Sequence, residues 1–262
     1  VLYRTRPYEQ TEGAANALYR RYAAQIKTEL KNMSARRYHH IVRDIVRDFD
    51  TLPLTQEVKP RIGVVGEILV KFHPTANNDI VGTIEREGAE CVMPDLMDFF
   101  FYSLFDGVYR ETALESNALN RFKYHTIIRY IERYRRDMKK ALEESRRFIA
   151  PESIYNLAKG VHGVLDLGNA AGEGWFLTAE MVELIKAGVP SIACLQPFAC
   201  LPNHVTGKGM IKELRRRYPD AQISAIDFDP GASEVNQLNR LKLLLANAPY
   251  GAHPDQTDKK GA

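Results

Sequence analysis

The eleven residues from Cys194 to His204 hold two of the chain's three cysteines, two prolines (Pro197 and Pro202) and a histidine, directly after an apolar run. Thiolates are soft ligands that suit zinc or iron-sulfur clusters, and prolines hold a loop open so that side chains can converge. Both metals are candidates at first. The chain has no Cys-x-x-Cys pair, and a structural zinc would close with four protein ligands, so the spacing disfavours zinc. Three thiols far apart in sequence, Cys91, Cys194 and Cys200, suit a cluster with one iron left open, and an open iron can take a substrate. Each has a plain alternative. Cys91 and Cys194 lie in apolar runs where a free cysteine is a small core residue. Cys200, between prolines with Asn203 and His204 close behind, is the strongest ligand candidate.

Other groups stand near these thiols in the pattern. Gly172-Glu173-Gly174-Trp175 reads as a tight turn whose glycines admit close backbone approach, with Glu173 facing a cofactor or substrate, or else as an ordinary turn. His204 is a candidate acid-base group or ligand, or a structural residue beside the helix-capping Asn203. Thr206-Gly207-Lys208-Gly209 offers backbone amides and Lys208 to a phosphate but lacks the full phosphate-loop pattern. Asp227, Asp229 and Ser233 read as a strand end and the next helix cap. Val164 to Gly168 followed by Gly172 and Gly174 imitates an adenosyl-binding turn. Its acidic partner should follow about 20 residues on, whereas Asp227 lies more than fifty residues beyond Gly174. That spacing rejects the pairing.

The elements that must position these residues alternate in type. Helical periodicity runs over 13–32 and 34–48, and short β-branched or apolar runs at 60–66, 89–94, 163–167, 191–194 and 223–227 read as buried strands. Helices are expected at 77–88, 177–187, 204–218 and 233–246, with a helical insert containing 95–105 and a long amphipathic helix over 117–148. The fold class is therefore α/β, a flavodoxin-like parallel sheet of four or five strands flanked by helices, with N-terminal helices and a long helical insert. The expected segments are an N-terminal helical part at 1–57, an α/β domain from 58–94 and 160–248, the insert at 95–159, and a polar tail at 249–262. Ligands of open α/β sheets bind beyond the carboxyl ends of the strands, which is where all three thiols are expected.

Composition removes some functions. No apolar stretch approaches the roughly 20 residues of a spanning helix, so no membrane role is expected. Three cysteines are too few, and odd in number, for a disulfide framework, so the expected compartment is the reducing cytoplasm. The net charge of +3 is small, and the stretch from Arg129 to Arg147 alone carries eight basic and four acidic residues. Interleaved at helical steps, they read as a solvated ion-paired face and not as a nucleic-acid site. The chain opens on Val1 with no secretory pattern and reads as a domain of a longer polypeptide.

Three long blocks carry a family resemblance. Gly172 to Met181, Cys194 to Met210 and Asp227 to Gln237 resemble the C-terminal region of the large CoA-substrate-specific enzyme activases, relatives of the 2-hydroxyacyl-CoA dehydratases. Similarity reaches back to Gly63-Val64-Val65-Gly66-Glu67-Ile68 and Arg6-Pro7-Tyr8-Glu9. The resemblance implies a 4Fe-4S cluster held by cysteines, with Cys200 matching the last cluster cysteine, and an acyl-CoA substrate reduced by ATP-driven electron transfer. It implies as partners ATPase activase modules of the same or another polypeptide and a second dehydratase-like lobe. The chain departs from the family pattern: the first ligand of the N-terminal half and the ATPase motifs are absent, so it resembles one lobe that supplies part of a ligand set. The competing expectation is a scaffold or interaction domain that binds no metal.

Overall fold

The computed structural model describes residues 1–114, 117–229, 231 and 233–256. Residues 115–116 of the expected insert, Pro230 and Ala232 of the third resemblance block, and 257–262 of the expected tail lie outside them. The chain forms two compact units, one from Val1–Lys59, Tyr130–Pro151 and Ala252–Ala262, the other from Pro60–Arg129 and Glu152–Gly251. Of the expected insert, 130–151 fall in the first unit and 95–129 and 152–159 in the second.

The first unit is helical. It contains α1 (Leu2–Thr5), α2 (Ala14–Glu29) and α3 (Ala35–Asp50). The α2 start has no cap of its own; the Glu9 carboxylate accepts from the amides of Gly13 and Ala15 at 2.6 and 2.7 Å and satisfies them from outside the helix. Ser34 caps α3 by accepting from Arg37 N at 3.2 Å. Ala15, Val46, Phe49 and Phe148 form the core of this unit. Beside it the almost fully buried Arg147 donates to the carbonyls of Phe49 and Leu52 at 3.0 and 2.7 Å and pairs with Asp255.

The second unit is the α/β part. In chain order it contains β1 (Arg61–Gly66), α4 (Ile68–Phe72), α5 (Ile80–Arg86), β2 (Glu90–Val92) and α6 (Leu96–Ala113). Next come α7 (Ala118–Glu144, which enters the first unit from Tyr130), α8 (Ile154–Val161), α9 (Gly174–Lys186), β3 (Ser191–Gln196), α10 (Ile211–Arg217), β4 (Gln222–Asp227) and α11 (Glu234–Ala246). The four strands pair in parallel in the order β2-β1-β3-β4, the flavodoxin-like arrangement. One face packs Ile62, Val64, Ala193 and Leu195 against α4, α5 and α11; the other packs Val65, Ile192 and Cys194 against α9 and α10. Burial on both faces is why these strands read as unbroken apolar runs in the sequence. Each fully buried side chain such as Ile62 or Leu195 contributes about 1.5–3 kcal/mol.

The apolar run at 163–167 is not a strand. Gly163 turns the chain at φ +79°, and the amides of Val164 and Leu165 bond back to Val161 O at 2.9 and 3.2 Å, closing the end of α8. Val164 then packs on the face of the sheet covered by α9. A short apolar run following a helix can serve as such a closing contact as readily as a strand, and periodicity does not separate the two. The expected helix at 204–218 also differs: it is a wide π segment (Asn203–Gly207), a 3-10 turn (Lys208–Met210) and α10 in succession. Among the described residues no helix is long and apolar enough to cross a membrane.

Candidate functional site at the carboxyl edge of the sheet

β1 and β3 are neighbours, but the chain leaves β1 toward β2 on one side and leaves β3 toward β4 on the other. At such a switch point the segments following the two strands diverge and leave a crevice beyond their carboxyl ends. The two strand ends meet closely there. Gly66 lies at φ +139°, and a Cβ on it would fall 1.9 Å from Leu195 O. Only glycine fits. The next amide, Glu67 N, bonds to that same carbonyl at 2.9 Å.

Three side chains converge on this crevice. Glu67 caps α4 by accepting from Val70 N at 2.8 Å. Glu173, just before α9 and only 7% exposed, accepts from Ile68 N at 3.2 Å. Asn203, wholly buried at the start of the π segment, donates from Nδ2 to Cys200 Sγ at 3.2 Å and lies near the Glu173 carboxyl. Burial, reinforced by the nearby Glu67, raises the Glu173 pKa against the hydrogen bonds that oppose it. Two polar atoms in the Asn203 turn have no partner: Asn203 Oδ1 and His204 Nε2 are both buried and unbonded. Ala199, beside the thiol, is held at φ +58°, an uncommon conformation for a residue with a Cβ.

An acidic face of α9 leads away from this crevice. Glu180 lies seven residues along from Glu173 and pairs with Lys71 of α4 at 2.6 Å, the two being 2% and 3% exposed. Burial raises Glu180 while Lys71 opposes the rise. Glu183 is pushed up to about 8, first by burial and then by the charges of Asp98 and Glu180.

The three sulfurs are not brought together in this chain. Cys91 sits in the core on the α4/α5/α11 face of the sheet and Cys194 in the core on the α9/α10 face, both buried. Burial, with Glu180 and Asp227 near, pushes the Cys194 thiol up to about 12, and its sulfur lies beneath Gly207, where an added Cβ would come within 3.2 Å of it. Ligands of one cluster radiate from a small core with metal-sulfur bonds of about 2.3 Å, so strands with opposite-facing thiols do not converge on one. Only Cys200 is outside the core, half-buried in the loop after β3. Among the described residues no three His, Cys, Asp or Glu side chains are grouped so as to hold a metal ion.

The remaining expected site residues have internal duties. Gly172 (φ +60°) and Gly174 (φ +47°) permit a turn in which an added Cβ would meet Pro202 at 2.9 Å and Asn169 O at 2.3 Å, so packing within the fold accounts for both glycines. Lys208 is exposed, and its amide bonds to the carbonyls of Asn203 and His204, so that amide is not free to meet a phosphate. His204 is half-buried in the Cys200 turn, its own amide bonding to Cys200 O at 2.9 Å. Asp227 accepts from Gln196 Nε2 at 2.6 Å across the β3–β4 ends. Sequence reasoning passed over Asn203 as a cap, and over Glu67, Lys71, Glu180 and Glu183 altogether. The spacing of Glu173, Glu180 and Glu183 along one helix face was the available signal.

The fold and crevice define the class: a doubly wound α/β protein with a thiol at its switch point. No known family matches the chain, nor does any curated protein or solved structure.

Proposed function

We propose that the chain is one lobe of an iron-sulfur protein of the 2-hydroxyacyl-CoA dehydratase and activase kind. Cys200 is its thiolate, and a second dehydratase-like lobe supplies further ligands of a 4Fe-4S cluster. The observation that carries this reading is the placement of Cys200: of three thiols it alone lies at the switch point and outside the core. The lobe would then serve low-potential electron transfer to, or reductive dehydration of, a CoA thioester, with ATPase modules as the electron source. Glu173 is the acid-base group of the crevice in this reading, because burial helps its carboxyl hold a proton beside the Cys200–Asn203 contact. His204 is the second such candidate, from the same turn.

Anaerobic incubation with ferrous iron, sulfide and glutathione, the last standing in for the missing ligands, tests this directly. Iron should remain on the wild type, Cys91→Ala and Cys194→Ala after desalting and be lost from Cys200→Ala. Retention by Cys200→Ala, or by none of the four proteins, overturns the assignment.

A second reading, an interaction domain without metal, is favoured by one observation. Phe198 and Leu201 flank the thiol at 72% and 73% exposure, an apolar rim of the kind that partners cover. It expects no Cys200-dependent iron.

A further inference from the structure

The Cys200 turn is built with its polarity reversed. Asn203 and Thr206 face inward, Thr206 with its hydroxyl on Pro202 O at 2.9 Å and its carbonyl accepting from Thr178 Oγ1 at 2.5 Å. Phe198, Leu201 and Val205 face outward. Nearly every inward polar group has a partner, which is what burial demands, since an unpaired buried acceptor costs about as much as a lost hydrogen bond. Two atoms of the turn break that rule, His204 Nε2 and Asn203 Oδ1. Asn203 is 0% exposed, its Nδ2 is engaged by Cys200 Sγ with the Glu173 carboxyl near, and its oxygen is bonded to nothing. The orphan acceptor belongs to the same amide that touches the sulfur.

We infer that Asn203 is a binding residue of the Cys200 site: its Oδ1 receives a hydrogen-bond donor, an N–H or O–H, carried by the organic group that engages the sulfur. Glu173 is the positioning residue, because a buried carboxyl near the amide favours the orientation that turns Nδ2, not Oδ1, toward it. The ligand class follows from the atoms. A bare iron-sulfide core has no donor to offer Oδ1, so the site takes a molecule with a hydroxyl or amide hydrogen close to its sulfur-seeking centre. This rests on the reading of Cys200 as the working sulfur and is independent of what metal the sulfur meets.

Two alkylating probes of like reactivity test it, iodoacetamide, which carries amide hydrogens, and N,N-dimethyl iodoacetamide, which carries none. In each reaction an S–C bond forms, the C–I bond breaks, iodide leaves and the thiol proton passes to buffer. Cys91 and Cys194 are buried, and Cys200→Ser measures any background from them. The quantity read is the ratio of the two rates on the native full chain, divided by the same ratio for glutathione. It should be about tenfold in the wild type, the worth of one hydrogen bond, and should stay high in Asn203→Asp, which keeps an acceptor oxygen. In Asn203→Leu it should fall to the glutathione value, and in Glu173→Gln it should fall part of the way. A loss of folding does not mimic this, because an unfolded chain shows the glutathione ratio with all three thiols reactive, and the wild-type ratio stands without any variant. A wild-type ratio equal to that of glutathione overturns the inference, as does a high ratio that Asn203→Leu leaves unchanged. Iron retention dependent on Cys200 together with a glutathione-like ratio sinks this inference and spares the cluster reading. The converse result does the reverse.

Discussion

Glu183→Gln should change how stability depends on pH. Glu183 is pushed up to about 8 from an ordinary 4.5 by burial and by Asp98 and Glu180 beside it. The folded state therefore favours the protonated carboxyl. Below about 4.5 both folded and unfolded chains carry the proton and the site costs nothing. Above that the unfolded chain ionises while the folded one does not, and stability falls by about 1.4 kcal/mol per pH unit until the folded group also titrates near 8. At pH 7 the accumulated penalty is about 3 kcal/mol, reduced to about 2 by the water that reaches a side chain not fully enclosed. A glutamine of the same shape does not ionise. Urea unfolding at pH 5, 6, 7 and 8 should give near-equal stability for the two proteins at pH 5 and a variant more stable by about 2 kcal/mol at pH 7. The slope with denaturant should not change. Parallel pH curves, or a variant weaker at every pH, would refute the reasoning. Glu173 and Glu180, raised in the same direction, keep some fall in stability with pH in the variant.

Other perturbations have equally definite outcomes. Lys71→Met strands the buried Glu180 carboxylate and should cost about 3–5 kcal/mol, whereas Lys71→Met with Glu180→Leu should recover most of that loss, as a double-mutant cycle in urea will measure. Gly66→Ala drives a methyl to 1.9 Å from Leu195 O and should cost about 3 kcal/mol or leave the α/β unit unfolded by circular dichroism. Thiol titration of the native chain should find one fast cysteine, lost in Cys200→Ser, with Cys91 and Cys194 reacting only in denaturant; fast reaction of either buried thiol contradicts the packing. Arg147→Ala removes a cation bonded to two carbonyls and to Asp255, and should lower the melting temperature of the helical unit with a loss of about 2–4 kcal/mol.

Much of the frame was legible because the relevant signals are local. Ser34 marked the start of α3, Gly88 at φ +84° ended the turn after α5, and the β-branched runs at β1, β3 and β4 stood out because both faces of the sheet are covered. The run at 163–167 was misread because an apolar helix-closing contact and a short strand look alike in composition. The segment after Cys200 was read as a plain helix because nothing in Asn203–Gly207 announces a widened turn; the close approach of Gly207 to Leu177 and Cys194 is a tertiary constraint.

For the site the division is sharper. The sequence alone determined that a thiol, a histidine and an asparagine follow the strand begun at Ser191, and it led to the expectation of candidate ligands at the carboxyl edge of the sheet. It did not determine which way each thiol points, because strand side chains alternate and a shift of one position moves a residue to the other face. Register decided that: Cys91 pairs beside Ile62 on one face and Cys194 beside Val65 on the other, leaving Cys200 alone at the crevice. The contacts of Glu173 with Ile68 and of Lys71 with Glu180 join residues 105 and 109 positions apart, and only the packing of α4 and α9 over the sheet brings them together.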